Sequence, residues 1–492
     1  MTLGTAVTNV GTTLLLSGCP AGMDTYLYSA YKGTFWRARY YQHTNFAMEN
    51  LRYPSSSMVQ FGSTAIFKIP KGGDLIYYTY MVFVIPGIRG CRLPSGPGAA
   101  CDSFYQFPAA EDSPCAIEDS VVFDQAAGHC NATPAAWLKQ TYNACYADFD
   151  DAEYCEEGGA RPCVDPNRPV NWPHWAHWAN AIGQLLVKEA TLVIGNTPIA
   201  YLWNDFLFMW EELSGKPGKR LTEMIGKRYS VDDLILDSLS QRTLYVPLPF
   251  FYTQAPGNAL SLISLMYTSV EVHVTFEQLQ NCVIRKDRET AVVKCGGGGQ
   301  LQPTDLQAYL DVTNVYLDLY ERDRFSVSHF DTLITQVQRQ TWQLDSSKSS
   351  LDVQFNQPII ELIWAVRRQC NEAVNAWFNY SGIRSHEPIE SCSLDFNHQT
   401  RVAQQPGSYF RLVQPYQAHT NVPDACVYCY SFALWPQEPQ PSGSANFSRI
   451  QDVTFNVWLQ NGLELERTTL IMFGRNWNLL KYRDGLGGQA FV

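Results

Sequence analysis

The sequence predicts an all-β chain with two large β-domains, and three observations support this. Polar and apolar residues alternate in short runs such as Val270–Phe276, whose apolar side chains fall on one face of a strand. The 33 glycines and 27 prolines interrupt these runs at short intervals, as is typical of sandwiches and barrels. Aromatic residues make up 13% and charged residues 17% of the chain, which favours packed pleated surfaces. A length of 492 residues predicts more than one core.

The strand pattern recurs along most of the chain. The predicted strands are Thr64–Ile69, Leu75–Val84, Ala190–Ile194, Leu244–Phe251, Ser269–Phe276, Val312–Tyr320, Leu351–Phe355, Ile359–Val366, Asp452–Leu459 and Thr469–Phe473. Helices are expected to be few and short. The best helical candidate is Thr222–Ile225 together with Val231–Leu239.

A faint internal repeat supports two copies of one architecture. Pro70 and Val270–Phe276 in the first half stand in the same order as Pro358 and Val453–Leu459 in the second. The interval is 200 residues in the first half and 95 in the second, so the first copy carries about 105 extra residues. Loop insertions of this size leave a shared core intact, because the entropy of loop closure grows slowly with length. The boundary between the copies is expected after Phe325.

The expected insertion covers about residues 88–171, where the strand pattern lapses. Half of the 14 cysteines lie in it, and the set is Cys91, Cys101, Cys115, Cys130, Cys145, Cys155 and Cys163. Reduced thiols are expected if the chain folds in cytoplasm. The density of cysteines in a loop with little core of its own favours instead up to three disulfides with one thiol left over. The sequence leaves both alternatives open.

Charge and hydropathy exclude two classes of partner. The formal net charge of -11 provides no basic surface for DNA, so direct nucleic-acid binding is not expected. No apolar run reaches the roughly 20 residues that a membrane-spanning helix needs, so a soluble chain is expected.

Motifs for catalysis or for a metal are weak. Gly215–Arg220 has too short a glycine spacing for a phosphate loop, and an arginine stands where a magnesium-binding hydroxyl is needed. Cys426 and Cys429 have the spacing of half a zinc site, but no second pair is close in sequence. His174 and His177 alternate with tryptophans and are expected to pack. We therefore expect no enzyme, no cofactor and no metal.

Three asparagines begin glycosylation triplets, namely Asn131, Asn379 and Asn446. Asn446 falls within a longer motif described below, so only Asn131 and Asn379 are expected acceptors. Asp74 follows two glycines and is expected to bond the backbone of a turn.

Near the C-terminus, a Pro-Ser-Gly run precedes Asn446 and Ser448-Arg449, and an Asn-x-Asn-x-Leu strand precedes a glycine-rich end. These motifs, with several earlier runs in order along the chain, resemble the double-jelly-roll major capsid proteins of nucleocytoplasmic large DNA viruses. The runs are Thr44–Glu49, Ile69–Leu75, Trp178–Gly183, Leu192–Gly195, Val246–Phe250, Glu321–Phe325, Pro358–Trp364, Pro436–Ile450 and Arg475–Gly488.

The resemblance assigns a structural role to the residues that match these motifs. They are Gly73, Asp74, Gly183, Pro247, Pro249, Pro441, Ser442, Gly443, Asn446, Ser448, Arg449, Asn476, Asn478, Gly485, Gly487 and Gly488. Arg449 is expected to hold the loop after Pro441 through hydrogen bonds to carbonyls or a carboxylate, so that lysine would not replace it.

The resemblance implies two consecutive eight-stranded antiparallel jelly rolls with long loop insertions and a few short helices. It implies an N-terminal arm at 1–24, a first jelly roll at 25–325 and a second at 326–492. The implied function is that of a major capsid protein, whose pseudo-hexagonal homotrimers tile an icosahedral shell. The implied partners are further copies of the chain, minor capsid proteins and penton proteins, over an internal membrane that the chain does not span. The implied location is the virion shell, assembled in host cytoplasm.

Two other classes compete with this interpretation. A secreted or surface jelly-roll module could bind carbohydrate through exposed tryptophan and tyrosine. A β-sandwich hydrolase would need paired carboxylates, and no recognisable motif provides them. Two large domains with a shared strand order favour the capsid protein.

Overall fold

Antiparallel strands dominate the part of the chain that the structure describes. The structure is a computed structural model and describes residues 36–38, 40, 42–92, 175–216, 218–286, 290–295, 299–463 and 467–491. The first group of strands is β1 Phe46–Pro54, β2 Thr64–Ile69, β3 Leu75–Ile85, β4 Ile88–Arg92, β5 Ala176–Trp178, β6 Val187–Ile194, β7 Thr197–Trp203, β8 Arg242–Pro247, β9 Leu260–Ser261, β10 Val270–Phe276, β11 Val283–Arg285, β12 Thr290–Lys294 and β13 Gln307–Leu317. The second is β14 Phe330–Leu344, β15 Lys348–Asp352, β16 Pro358–Arg368, β17 Ile389–Phe396, β18 Gln399–Pro406, β19 Tyr428–Ser431, β20 Ala445–Asn446, β21 Val453–Leu459, β22 Thr468–Arg483 and β23 Leu486–Gln489.

The two groups repeat one strand order. In the first, the main sheets are β1-β13-β3-β8 and β2-β10-β6-β7; in the second, they are β14-β22-β16-β19 and β15-β21-β17-β18. Each main strand of the first group has a counterpart at the same place in the second, and β10 corresponds to β21 as the internal repeat predicts. The prediction of an all-β chain with a duplicated architecture is confirmed. We call the two groups the first and the second sandwich.

Shorter strands and several helices accompany the four main sheets. Strands β4 and β12 pair, as do β5 and β11, while β9, β20 and β23 extend main sheets. The α-helices are α1 Ile182–Leu186, α2 Asn204–Ser214, α3 Thr222–Ile225, α4 Val231–Ser238, α5 Leu279–Cys282, α6 Leu319–Val327, α7 Gln369–Ala373 and α8 Gln414–Ala418. The predicted pair of helices is confirmed as α3 and α4. The predicted strand Val312–Tyr320 ends early, because the Asp318 side chain accepts a hydrogen bond from the Leu319 N–H and begins α6. No helix in the described ranges is long and apolar enough to cross a bilayer.

Strands β16 and β22 are buried on both faces, which explains their nearly continuous apolar sequence. On β16, Trp364 and Val366 belong to the core inside the second sandwich, whereas Ile363 and Ala365 pack into the core shared with the first. Strand β22 alternates in the same way. The sheet β14-β22-β16-β19 has one face inside the second sandwich and the other against the first sandwich. We call the face against the first sandwich the seam face.

The predicted insertion begins later than expected. Residues 88–92 form β4, and the description resumes at residue 175, just before β5; these two strands are in contact. The six cysteines from Cys101 to Cys163, Asn131 and His174 lie outside the described residues. Residues 1–45 form a separate unit; the predicted arm at 1–24 lies outside the described residues, and those described up to residue 45 contain no helix or strand.

Candidate assembly site

A row of side chains on the seam face joins the two sandwiches. Glu361, Ile363, Ala365 and Arg367 follow one another at every second position of β16, so they point to the same side. Helix α2 of the first sandwich covers this row, with the Phe206 ring 5.5 Å from that of Phe473 on β22. The two apolar residues in the middle of the row pack into the shared core, and the charged residues at its ends each form an ionic cluster.

The first cluster centres on Asp205, a buried residue in the first turn of α2. Its Oδ1 accepts hydrogen bonds from Arg367 Nη1 and from the Tyr380 hydroxyl, both at 2.8 Å. Its Oδ2 lies 3.4 Å from Arg339 Nη2. Burial opposes the charge of Arg367, but Asp205, with Tyr380 and Glu372, raises the pKa of that guanidinium. One carboxylate of the first sandwich thus binds three side chains of the second.

The second cluster centres on Glu361. It lies opposite Arg475 across β16 and β22, and Arg475 Nη1 donates to Glu361 Oε1 at 2.5 Å. His419 Nε2 lies 2.8 Å from the other carboxylate oxygen. Burial would raise the pKa of Glu361, but His419 and Arg475 lower it to about 2. Arg475 also donates to the Pro436 carbonyl at 3.1 Å and lies 4.1 Å from the ring centre of Trp210 on α2.

Asn476 and Asn478 anchor the C-terminal strand pair. Asn478 Nδ2 donates to Gln336 Oε1 at 2.9 Å and to the Phe491 carbonyl at 2.7 Å, and Asn476 Nδ2 lies 3.4 Å from the same glutamine oxygen. Gln336 Nε2 in turn donates to the Ile199 carbonyl of the first sandwich. The Asn-x-Asn motif therefore holds the chain end and, through Gln336, reaches across to β7.

Ser442 and Gly443 fix the loop that presents Leu434 and Trp435. Ser442 Oγ accepts from the Trp435 N–H at 2.9 Å, and its carbonyl accepts from the Leu434 N–H at 3.3 Å. Gly443 has a φ of 142°, and a Cβ there would lie 2.7 Å from the Phe432 carbonyl oxygen. Only glycine fits this position.

The expectation for Arg449 is wrong for a single chain. Its side chain is exposed and makes no hydrogen bond or ion pair with the residues that the structure describes. Ser448 anchors this loop instead, because its Oγ accepts a hydrogen bond from the Gln357 N–H at 2.7 Å. Asn446 pairs with Pro358 in β20 and β16. Pro441 is exposed at the tip of this loop.

Asp74 bonds the backbone, as expected, but not within its own turn. Its Oδ2 accepts from the Leu317 N–H at 2.9 Å, at the end of the neighbouring strand β13. Its Oδ1 lies 3.1 Å from Arg322 Nε on α6. A Cβ at Gly73 would lie 2.8 Å from Asn314 Cβ, so glycine allows β3 to start close to β13.

The remaining motif residues serve turns and close packing. A Cβ at Gly183 in α1 would lie 3.0 Å from the Ile225 carbonyl oxygen. Pro247 ends the edge strand β8, where a missing N–H is tolerated, and Pro249 follows two residues later. Gly485 completes the two-residue turn between β22 and β23 with a φ of 77°.

Gly487 and Gly488 differ in their surroundings. A Cβ at Gly487 would lie 2.4 Å from Leu265 Cδ2, whereas one at Gly488 would meet no atom within 4 Å. A side chain at position 487 would therefore force the buried Leu265 side chain of the first sandwich to shift. Nothing in the structure explains the glycine at position 488.

The candidate glycosylation residue Asn379 and the cysteines singled out in the sequence lie in surroundings that do not favour glycan or metal binding. Asn379 Nδ2, the atom that a glycan would occupy, is buried, so the folded chain does not present it as an acceptor. Cys91 lies on β4. Burial raises the pKa of Cys429 well above its usual value, which disfavours a thiolate ligand. Within the described ranges, no three His, Cys, Asp or Glu residues come together as a metal site.

The residues that join the sandwiches were not predicted as a set. Arg475 and Glu361 lie within quoted motifs, but no role was expected for them, and Asp205 and Arg367 belong to no motif. The available signal was a charged residue inside an apolar strand, as in Ile359–Trp364, because buried charges are retained where a partner neutralises them.

Comparison with known sequences gives a consistent result. The family described as "Large eukaryotic DNA virus major capsid protein" matches residues 321–488, and "Major capsid protein N-terminus" matches residues 34–102 and 164–320. The major capsid proteins of Phaeocystis pouchetii virus and Pyramimonas orientalis virus are 25% and 26% identical to the chain. Each alignment covers 95% of this chain, and 97% and 96% of the respective relative.

Solved structures share the fold. A quasi-atomic model of the PBCV-1 virus capsid superimposes with a TM-score of 0.65 at 22% identity, covering 93% of this chain and all of the other. The Faustovirus major capsid protein gives a TM-score of 0.61 at 13% identity, covering 92% of this chain and 93% of the other. The chain therefore belongs to the major capsid proteins of large eukaryotic DNA viruses, structural proteins of the virion's capsid shell.

Proposed function

We propose that three copies of this chain form a homotrimer of pseudo-hexagonal outline that tiles a flat facet of an icosahedral shell. The observation that carries the proposal is the repeated strand order of the two sandwiches. A chain with two similar lobes gives a six-lobed ring when three copies close around a three-fold axis. The seam clusters support this role, because they hold the two lobes in one fixed relation.

The two lobes correspond to the two jelly rolls. We place their boundary after Phe325, within α6, the helix between β13 and β14, with the first jelly roll at 25–325 and the second at 326–492. The role is structural and not catalytic, and it involves no cofactor and no direct contact with nucleic acid. Assembly in host cytoplasm over an internal membrane, with minor capsid and penton proteins as further partners, completes the proposal.

Exposed apolar side chains on α8 and on the loop that begins at Leu434 support self-association. Leu434 and Trp435 are 67% and 58% exposed, although hydrogen bonds to Ser442 fix the backbone that carries them. Tyr416, 80% exposed, lies on α8, and His419 next to this helix contacts Gln437 of the same loop at 3.0 Å. We call these three side chains the loop patch and assign it to contacts between copies.

Charging the loop patch is expected to release monomers. Aspartate at both Leu434 and Trp435 would bury unpaired charge in a contact between copies. Light scattering on native protein is expected to give about 167 kDa for the parent and 55.6 kDa for the double variant, the mass of one chain. Met58→Asp, at a 66% exposed apolar residue elsewhere, serves as the control and is expected to remain trimeric. A double variant that stays trimeric contradicts the assignment of the patch.

Removing the insertion is expected to leave folding and trimer formation intact. Strands β4 and β5 at its ends are in contact, so a short Gly/Ser linker can replace residues 93–174. The family match also omits residues 103–163. Cys91 is retained because it pairs with Ala291 in β12. Loss of soluble trimer, measured by light scattering and circular dichroism, would show that the insertion supports the core or the three-fold contact.

A further inference from the structure

A cavity of about 80 Å³ lies between α4 and the segment 371–379 of the second sandwich. Its wall is largely apolar, formed by Phe208, Leu234, Ile284, Val374, Trp377 and Phe378. Because side chains from both sandwiches form this wall, the cavity depends on the same relation between the lobes as the seam clusters.

His177 supplies an unused hydrogen-bond acceptor in the wall. The ring is 1% exposed, and its Nδ1 donates to the Trp178 carbonyl at 2.8 Å. Burial lowers the pKa of His177 to about 4, against the opposing effect of the Trp178 bond, so the ring is neutral near pH 7. Nε2 therefore keeps its lone pair, and it has no partner among the described residues.

Asn379 supplies an unused donor in the same wall. Its Oδ1 accepts from the Ser381 N–H at 3.1 Å and from the Ser381 hydroxyl at 2.6 Å, which identifies this atom as the oxygen. Its Nδ2 is buried and, within the described part of the chain, has no partner. An unmade hydrogen bond at a buried amide is costly, so this group is available to a ligand.

Other polar side chains of the wall are already engaged with the protein. They are Asn180, Lys227, Arg228, Tyr229, Ser230, Asn371 and Asn375. Both cations are paired with carboxylates, so the cavity attracts no net charge. Several water molecules would fit in the cavity. A buried water makes about three hydrogen bonds, so the two free polar atoms would satisfy only a small part of the bonding capacity of these waters.

We propose that this cavity binds an uncharged carboxamide on an apolar stem, such as the glutamine side chain of another protein. The amide N–H donates to His177 Nε2, and its carbonyl accepts from Asn379 Nδ2. The stem packs on the aromatic wall at Trp377 and Phe378. One carboxamide thereby offers an acceptor and a donor to the two free polar atoms, and its stem fills apolar space of the cavity.

Ligand-detected saturation-transfer NMR on the assembled protein tests this with propionamide as the probe. Propionate, of similar shape but charged, is the matched control ligand. Saturable transfer is expected to propionamide and not to propionate. Asn379→Leu is expected to weaken propionamide binding about tenfold, since it removes one buried hydrogen bond. His177→Phe is expected to abolish it, and His398→Phe, at an exposed histidine, is expected to leave it unchanged.

Three results would overturn the proposal. The first is equal transfer to propionamide and propionate, and the second is propionamide binding that survives both His177→Phe and Asn379→Leu in correctly assembled protein. The third is a crystal soaked in propionamide that shows only water beside His177 Nε2. The Asn379 variant keeps the test valid if the buried His177 position does not tolerate phenylalanine.

Discussion

Arg475→Met is expected to lower the free energy of unfolding by about 3–5 kcal/mol, because it removes one of the two groups, Arg475 and His419, that neutralise the buried charge of Glu361. The Arg475 and Glu361 side chains are nearly inaccessible to solvent, and the pKa of Glu361 is lowered to about 2 partly by this arginine. Methionine keeps much of the volume over Trp210 but supplies no charge. Denaturant unfolding at one fixed protomer concentration measures the loss.

Two comparisons separate the buried charge from a general effect of losing an arginine. Arg483→Met removes an arginine paired with Asp331 on the surface, where both side chains are substantially exposed, and is expected to cost less than about 1 kcal/mol. Combining Arg475→Met with Glu361→Leu removes both charges and is expected to cost less than Arg475→Met alone. If Arg475→Met and Arg483→Met have equal effects, the second cluster does not stabilise the chain.

Asp205→Asn is expected to loosen the contact between the sandwiches, with a loss of about 3 kcal/mol. The amide keeps the size of the carboxylate, but it leaves the buried charge of Arg367 without its main counter-ion and weakens the bond from Tyr380. Asp205 lies in the first sandwich, and Arg367 and Tyr380 lie in the second. The loss of stability is therefore expected to concentrate at the seam face. Hydrogen exchange is expected to accelerate in α2 and in residues 369–380 more than in β17 and β21.

The matched control is Asp311→Asn, which alters a partly exposed pair with Arg52 on neighbouring strands. It is expected to change stability by less than about 1 kcal/mol and to leave exchange at the seam unaltered. Uniform acceleration across both sandwiches in Asp205→Asn would mean that the cluster supports global stability and not the relation between the lobes.

The strands were predictable because apolar and polar residues alternate along each strand, and this two-residue period is visible in the local sequence. Thr64–Ile69 agrees with β2 to the residue, and Val270–Phe276 alternates between buried and partly exposed positions as its sequence indicates. Helix α2 was not predicted. It lies against the seam face, so its apolar residues follow tertiary packing and do not give a clear surface-helix pattern.

The ionic clusters and the loop contacts could not be predicted from the sequence, because their partners are distant along the chain. Asp205 and Arg367 are 162 residues apart, and Glu361 and Arg475 are 114 apart. The resemblance correctly drew attention to the loop around Pro441–Arg449 but suggested the wrong anchor. A serine hydroxyl holds the backbone there, and only the folded chain shows that the Arg449 side chain extends into solvent.

The most direct test of the capsid role is the mass of the native protein in solution. Light scattering coupled to size exclusion, at micromolar protomer concentration, is predicted to give a single species of about 167 kDa, three copies of the 55.6 kDa chain. A stable monomer of 55.6 kDa under the same conditions would contradict the account.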